Sequence, residues 1–338
     1  MKEIFLASLT PMLSIFLFLS LGFILEKFKA LPSNASKVMA KLLTFLFLPA
    51  LNFASLSKNF TIESIGIYSS FLILGIIMIT IALFVAIFIA RFFVKDKTSY
   101  ERRVYEYCLT FGNYGYVGAP LVIALFGMRG YSFLSFITLP CTVLVYTWGI
   151  SALVPNGEKK LSTKEKVKRM LNVPTIAVFA GVLFGITGLG KVLYQTPALT
   201  FITNCISDLG DCMVPTAMLL AGITVAKYDF KKTVSNKKVY LASLLRLILI
   251  PTVLVSIMYG IITLSNLRGI NFDKSFLYLA FFVCATPPGL NIVVFPEAFG
   301  GDTSLSASFI LVSYVLCVVT IPLMFAILSV FLGPLPIF

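Results

Sequence analysis

Two short stretches carry the residue types that could do chemistry: Phe111–Leu121, reading FGNYGYVGAPL, and Thr286–Asn291, reading TPPGLN. Each interrupts an apolar run otherwise long enough to cross a membrane. Gly112, Gly115 and Gly118 remove side chains at spaced positions, Asn113 brings an amide, and Pro120 removes a backbone donor. Downstream, Pro287, Pro288 and Gly289 break the chain again, and Asn291 brings the second amide. In a bilayer, irregular backbone is tolerated only where it is buried in protein or lines a cavity. The chemistry such breaks offer is anion binding. A broken helix exposes the N-terminus of its second half, where unpaired N–H groups and the helix dipole favour negative charge. Half-helices starting near Ala119 and Ile292 would converge near the midplane if they approach from opposite sides, with Asn113 and Asn291 as neutral polar partners. The competing reading is that Gly and Pro here only allow kinking and close helix packing.

Other polar residues fall inside apolar segments. Asn52, three residues after Pro49, either faces the breaks with Ser55 one turn below, or makes an interhelical hydrogen bond worth ~1 kcal/mol. Thr142 and Tyr146 lie one turn apart and are read first as packing residues, second as pocket walls. Tyr114 and Tyr116 would admit an aromatic acid. Asp208 and Asp211 share a helix face. Two nearby carboxylates in a low-dielectric setting cannot both ionise easily, which suits a proton carrier; the alternative is a helix beginning near Gly210, with both aspartates wet. Glu106 is expected to pair locally with Arg102 or Arg103. Lys41 is expected to snorkel and Glu297 to be solvated near the interface. Arg246, about two turns into its span, is expected to snorkel to the cytoplasmic face rather than to pair with an acid or a substrate.

Composition narrows the class. Hydrophobic residues make up 59% of the chain and the mean hydropathy is +0.98, so this is a polytopic helical membrane protein. The net charge of +13 is read as topology rather than nucleic-acid binding, because the basic residues sit in short separate loops. The chain has no histidine, which removes a catalytic triad, the commonest metal ligand and the usual proton carrier near neutrality. Cys108, Cys141, Cys205, Cys212, Cys284 and Cys317 form no C-x-x-C pair and are expected to be buried, reduced thiols. No Walker motif or zinc-ligand spacing appears, so no enzyme, cofactor or metal site is expected.

These residues need elements to position them. Apolar runs place ten spans, at about 4–25, 38–57, 65–93, 104–126, 131–153, 173–189, 198–226, 239–264, 274–299 and 304–332. The first is read as a retained helix, since its apolar run exceeds an ordinary signal-peptide core. Lys and Arg favour one set of alternate loops by about three to one, which puts both termini on the non-cytoplasmic side. The basic loop, 154–172, separates a first five-helix repeat (1–153) from a second (173–338). An odd number of spans per half makes this an inverted repeat. VIALFG at 122–127 is echoed by VFPEAFG at 294–300, each followed by a short Gly-containing turn.

FGNYGYVGAPL at 111–121, DCMVPTAMLLAGITVA at 211–226 and TPPGLNIVVFPEAFGGD at 286–302 together resemble the auxin efflux carrier family. That family includes plant PIN-type auxin exporters and bacterial permeases for malate- or malonate-like acids, and the short central loop resembles the bacterial members. The resemblance implies an all-α fold similar to sodium/proton antiporters and bile-acid symporters. It implies a scaffold of spans 1, 2, 6 and 7, a moving core of spans 3–5 and 8–10, crossing broken helices 4 and 9, and homodimerisation through the scaffold. It further implies a secondary transporter of a small organic anion in a bacterial-type plasma membrane, working by alternating access. Candidate substrate contacts are Asn113, Tyr114, Gly115, Gly118, Pro120, Pro287, Pro288, Gly289, Asn291, Asn52 and Ser55. Asp208 and Asp211 are candidates for proton or sodium coupling. The alternative is a channel-like protein or receptor that binds a small ligand without translocating it.

Overall fold

The computed structural model describes residues 2–155, 161–227, 236–298, 302–333 and 336. Lys159, Lys160, Lys231 and Lys232 of the basic loops, Phe299 and Gly300 of the second repeat echo and Gly301 of the turn after it lie outside the described residues, as does the Glu297 side chain.

Described residues are helical throughout, apart from loops and one isolated bridge. The helices are α1 (Lys2–Lys27), α2 (Ala35–Asn59), α3 (Ile65–Phe93), α4 (Tyr100–Thr110), α5 (Tyr114–Ala152), α6 (Thr163–Met170) and α7 (Val173–Ile186). They continue as α8 (Leu189–Gln195), α9 (Pro197–Ala226), α10 (Lys237–Leu267), α11 (Phe276–Cys284), α12 (Asn291–Ala298) and α13 (Ser304–Leu332). Among the described residues six helices are long and apolar enough to cross a membrane, or seven if α7 and α8, bent by 87° at their junction, form one span.

Proline explains much of the local geometry. Its ring clashes with the carbonyl four residues back and it donates no hydrogen bond, so the preceding turn must widen. Wide turns at Leu43–Phe47, Tyr114–Gly118 and Leu245–Leu249 are followed by Pro49, Pro120 and Pro251. Gly127 divides α5 into two arms: its φ of 67° is a left-handed conformation open to glycine at little cost.

Packing falls into two groups. In one, α1 lies along the second half of α9, and α2 along α7 and the first half of α9. The approach of α1 to α9 is close, because a Cβ on Gly22 would strike the Leu219 carbonyl and one on Gly222 the Leu19 carbonyl. Small residues at such seams let backbones meet where hydrocarbon gives no hydrophobic drive. In the other group, α3 packs on α4 and α5, α11 on α5 and α10, and α13 on α10. Phe60, Tyr68, Phe71, Phe133 and Phe136 form a ring cluster joining the end of α2 to α3 and α5, with centroids 4.4–5.1 Å apart. Every residue of α11 is buried, as expected of a helix that is apolar on all sides.

Candidate functional site

The two helix breaks lie against each other. Between α4 and α5 the chain leaves the helix at Phe111–Asn113, and between α11 and α12 at 285–290. Asn113 N–H donates to the Pro287 carbonyl at 2.7 Å and Gly289 N–H donates to the Phe111 carbonyl at 3.3 Å, so Gly112 and Pro288 form an antiparallel bridge. Each break thus supplies hydrogen-bond partners that the other's irregular backbone lacks. Gly112 is required by crowding: a Cβ there would strike Arg246 Nη2 and Thr286 Oγ1 and sit 2.7 Å from the Val283 carbonyl.

Beside the bridge is a cavity of about 260 Å³. That volume suits a small metabolite better than a drug-sized ligand. Asn113, Tyr114, Gly115, Gly289, Asn291 and Asn52 line it, as do Thr142 and Tyr146, which the sequence favours as packing residues. Gly118, Pro120, Pro287, Pro288 and Ser55 do not. A Cβ on Gly118 would sit 2.7 Å from the Phe282 carbonyl, so that glycine serves helix contact instead. Tyr107, Tyr131, Thr44, Asn172 and Thr175 complete much of the polar wall. Sequence reading missed them because tyrosine and threonine are common in spans; for Asn172 a signal existed, since Asn before Val-Pro marks a helix start. None of the lining residues is charged.

The helix starts are earlier than Ala119 and Ile292, at Tyr114 and Asn291. Asn113 caps α5: its Oδ1 accepts from Tyr116 N–H at 3.2 Å, and its Nδ2 donates to the Tyr314 hydroxyl. Tyr114 and Gly115, whose N–H groups precede any intrahelical acceptor, line the cavity. At α12 the N–H groups of Ile292 and Val293 already bond the Gly289 and Leu290 carbonyls. The two starts are built alike: the Val117 and Gly118 N–H groups likewise bond the Asn113 carbonyl, and Leu290 and Asn291 precede the helical bonds of α12 as Tyr114 and Gly115 precede those of α5.

Asn52 fulfils both readings offered for it. It lines the cavity, but its Oδ1 accepts from the Tyr131 hydroxyl at 2.5 Å and its Nδ2 donates to the Pro174 carbonyl at 3.1 Å. Ser55 Oγ donates to the Met128 carbonyl at 3.0 Å, beside the α5 kink. Both residues tie α2 to the second arm of α5, and Asn52 also ties it to α7.

Asp208 and Asp211 lie in α9 well after its start at Pro197, but both are on its exposed face and away from the cavity. Cys205 and Cys212 are exposed there too, which corrects the expectation that all six cysteines are buried. That face points away from the α2 contact. Glu106 forms the expected local bridge, with Arg102 at 2.9 Å. Arg103 instead donates to the Ala152 and Val154 carbonyls at the end of α5. Lys41 is exposed.

Arg246 does not snorkel. It is 1% exposed, and its Nη1 donates to the Leu109 carbonyl at 3.1 Å, in the last turn of α4. It lies in the wide turn that accommodates Pro251, behind the break rather than in the cavity wall.

The family model described as "Membrane transport protein" matches residues 7–325. No curated protein matches the chain.

Proposed function

The chain belongs to this membrane transport protein family, the auxin efflux carriers, and from that premise we propose that it is a secondary transporter of a small organic anion, a mono- or dicarboxylate. The observation that carries the reading is the uncharged cavity beside the paired breaks, lined by amides and hydroxyls and by the first residues of both α5 and α12. A fixed cation in the wall would hold an anion tightly. Backbone N–H groups, amides and hydroxyls bind it while leaving release feasible, which a carrier needs at every cycle. In this reading Asn113, Tyr114, Gly115, Gly289 and Asn291 contact the substrate. Gly118, Pro120, Pro287 and Pro288 shape the break, and Asn52 and Ser55 hold the cavity's far wall.

Ten spans in a 5+5 inverted repeat, with broken helices crossing at mid-membrane, account for the antiparallel meeting of the two interruptions. In this reading α1, α2, α7 and α9 belong to a scaffold, and α3–α5 and α10–α13 to a moving core; the two packing groups support that division. Alternating access would then slide the second against the first, with the cavity at their seam.

The deciding experiment is uptake of a labelled carboxylate panel into proteoliposomes under imposed pH, sodium or potential gradients, for wild type and Asn113→Ala. Saturable flux with counterflow is expected, and loss in Asn113→Ala. Binding of an acid without flux would favour a receptor. No flux and no binding for any acid, with inserted protein verified, would overturn the anion assignment.

A further inference from the structure

We infer that Arg246 is a built-in counter-cation for the paired helix breaks, standing where a coupling cation would otherwise be needed, so that transport runs without sodium. The inference rests on the transport reading above and adds a property to it.

The helix ends opposite the substrate cavity are C-termini. α4 ends at Thr110 and α11 at Cys284, and each presents last-turn carbonyls with no intrahelical donor. Two such ends meeting in a low-dielectric interior concentrate partial negative charge. Carriers with broken helices commonly satisfy carbonyls of this kind with a bound cation. Here a guanidinium reaches the same place. Arg246 Nη1 donates to Leu109 O of α4, and Nη2 lies against Gly112, with Cys284 at the end of α11 among its electrostatic neighbours; the Val283 carbonyl itself accepts from the Thr286 hydroxyl at 3.3 Å.

The surroundings exclude the ordinary explanation of a buried arginine. Among the described residues no carboxylate pairs with it; the one ion pair found is Arg102–Glu106. Its titratable neighbours are the thiols of Cys108, Cys141 and Cys284, all buried. Nε and Nη2 have no hydrogen-bond partner among the described residues. A buried charge without a partner is strongly unfavourable unless local dipoles offset it. The converging C-termini are the offset, and the arginine is theirs. The void beside Gly112 measures about 10 Å³, room for one water at most.

The test uses the full chain in proteoliposomes and in detergent. Wild-type flux is expected to change less than about twofold when sodium is replaced by N-methylglucamine, because the charge is already present. Arg246→Ala is expected to lose about tenfold or more in N-methylglucamine and to recover with sodium or free guanidinium, which re-supply the charge. Arg246→Lys should keep cation-independent flux. Melting temperature gives a readout that needs no transport: sodium or guanidinium should raise that of Arg246→Ala and leave wild type unmoved. If Arg246→Ala does not insert, Arg246→Gln serves in both assays. Wild-type flux that disappears without sodium would overturn the inference. So would a neutral variant indifferent to both cations, since a purely structural arginine predicts destabilisation without cation rescue. If wild type carries no acid at all, the transport reading fails, while the melting series still tests the counter-charge.

Discussion

Gly112 and Gly115 are three residues apart in one motif, yet the structure gives them opposite duties. A methyl group on Gly112 meets a guanidinium, a hydroxyl and a backbone carbonyl, and the carbonyl cannot yield. Gly112→Ala is therefore expected to destabilise by about 3 kcal/mol, the upper end for overpacking a filled site. The measurement is the detergent melting curve; unchanged melting would show that the breaks do not meet as closely as described. A methyl on Gly115 meets nothing within 4 Å and enters the cavity. Gly115→Ala should fold normally and alter flux or substrate preference, and full activity on every acid would remove Gly115 from the site. Asn113 combines the same two roles within one side chain. Asn113→Asp keeps an N-cap acceptor, where loss of the cap costs ~1 kcal/mol, but places a negative charge beside the proposed anion. Its melting temperature should fall, because the buried carboxylate replaces the amide that donates to the Tyr314 hydroxyl, so flux is read per inserted protein and should drop by at least about tenfold, the effect of setting like charges together in a low-dielectric site. Retained flux would move the anion away from the start of α5.

At the scale of elements, the contact to watch is α2 against α5. The Tyr131 hydroxyl donates to Asn52, and Ser55 donates to the Met128 carbonyl, so two bonds cross the seam between the packing groups. If one group slides against the other, these bonds belong to one end of the cycle only. Interhelical bonds in membranes average ~0.6 kcal/mol, so Tyr131→Phe should shift the two-state balance about threefold. A cysteine at Thr138, in the cavity wall, would report the shift as a changed rate of thiol labelling. An unchanged rate with normal flux would mean that this contact persists through the cycle. These elements were unevenly legible in the sequence. Both breaks were legible because Gly, Pro and Asn act on their own backbone, within a few residues. The partners of Asn52 were not, since Tyr131 and Pro174 lie 79 and 122 residues away and only packing brings them in. Arg246 was misread for a related reason. Hydropathy treats a cation near a span end as free to reach water, whereas the wide turn at Leu245–Leu249 and a bond to the distant last turn of α4 hold it inside.

At the scale of the whole molecule, a polar stripe on α9 is left uncovered by the described residues. Along α9, Asn204, Ser207, Asp208 and Asp211 are exposed together with Cys205 and Cys212, while Thr203 and Gly210 of the same helix are buried. Gly210 faces Leu51 of α2, which fixes the polar residues outward. An ionised aspartate facing lipid at mid-depth costs about 3 kcal/mol, and two on one face cost more. Such a face must meet water or protein. A second copy related by two-fold symmetry would present the same stripe and could cover it. Oxidation in native membranes, or a short bis-maleimide, is then expected to link two chains through Cys205 or Cys212. Cys108, Cys141, Cys284 and Cys317 are buried and serve as the internal control, so the band of doubled mass should vanish in the Cys205→Ser, Cys212→Ser double variant. The opposite result is equally informative. If both thiols react freely with a membrane-impermeant maleimide and no doubled band forms, the stripe faces water, the aspartates need no partner, and the chain works as a monomer.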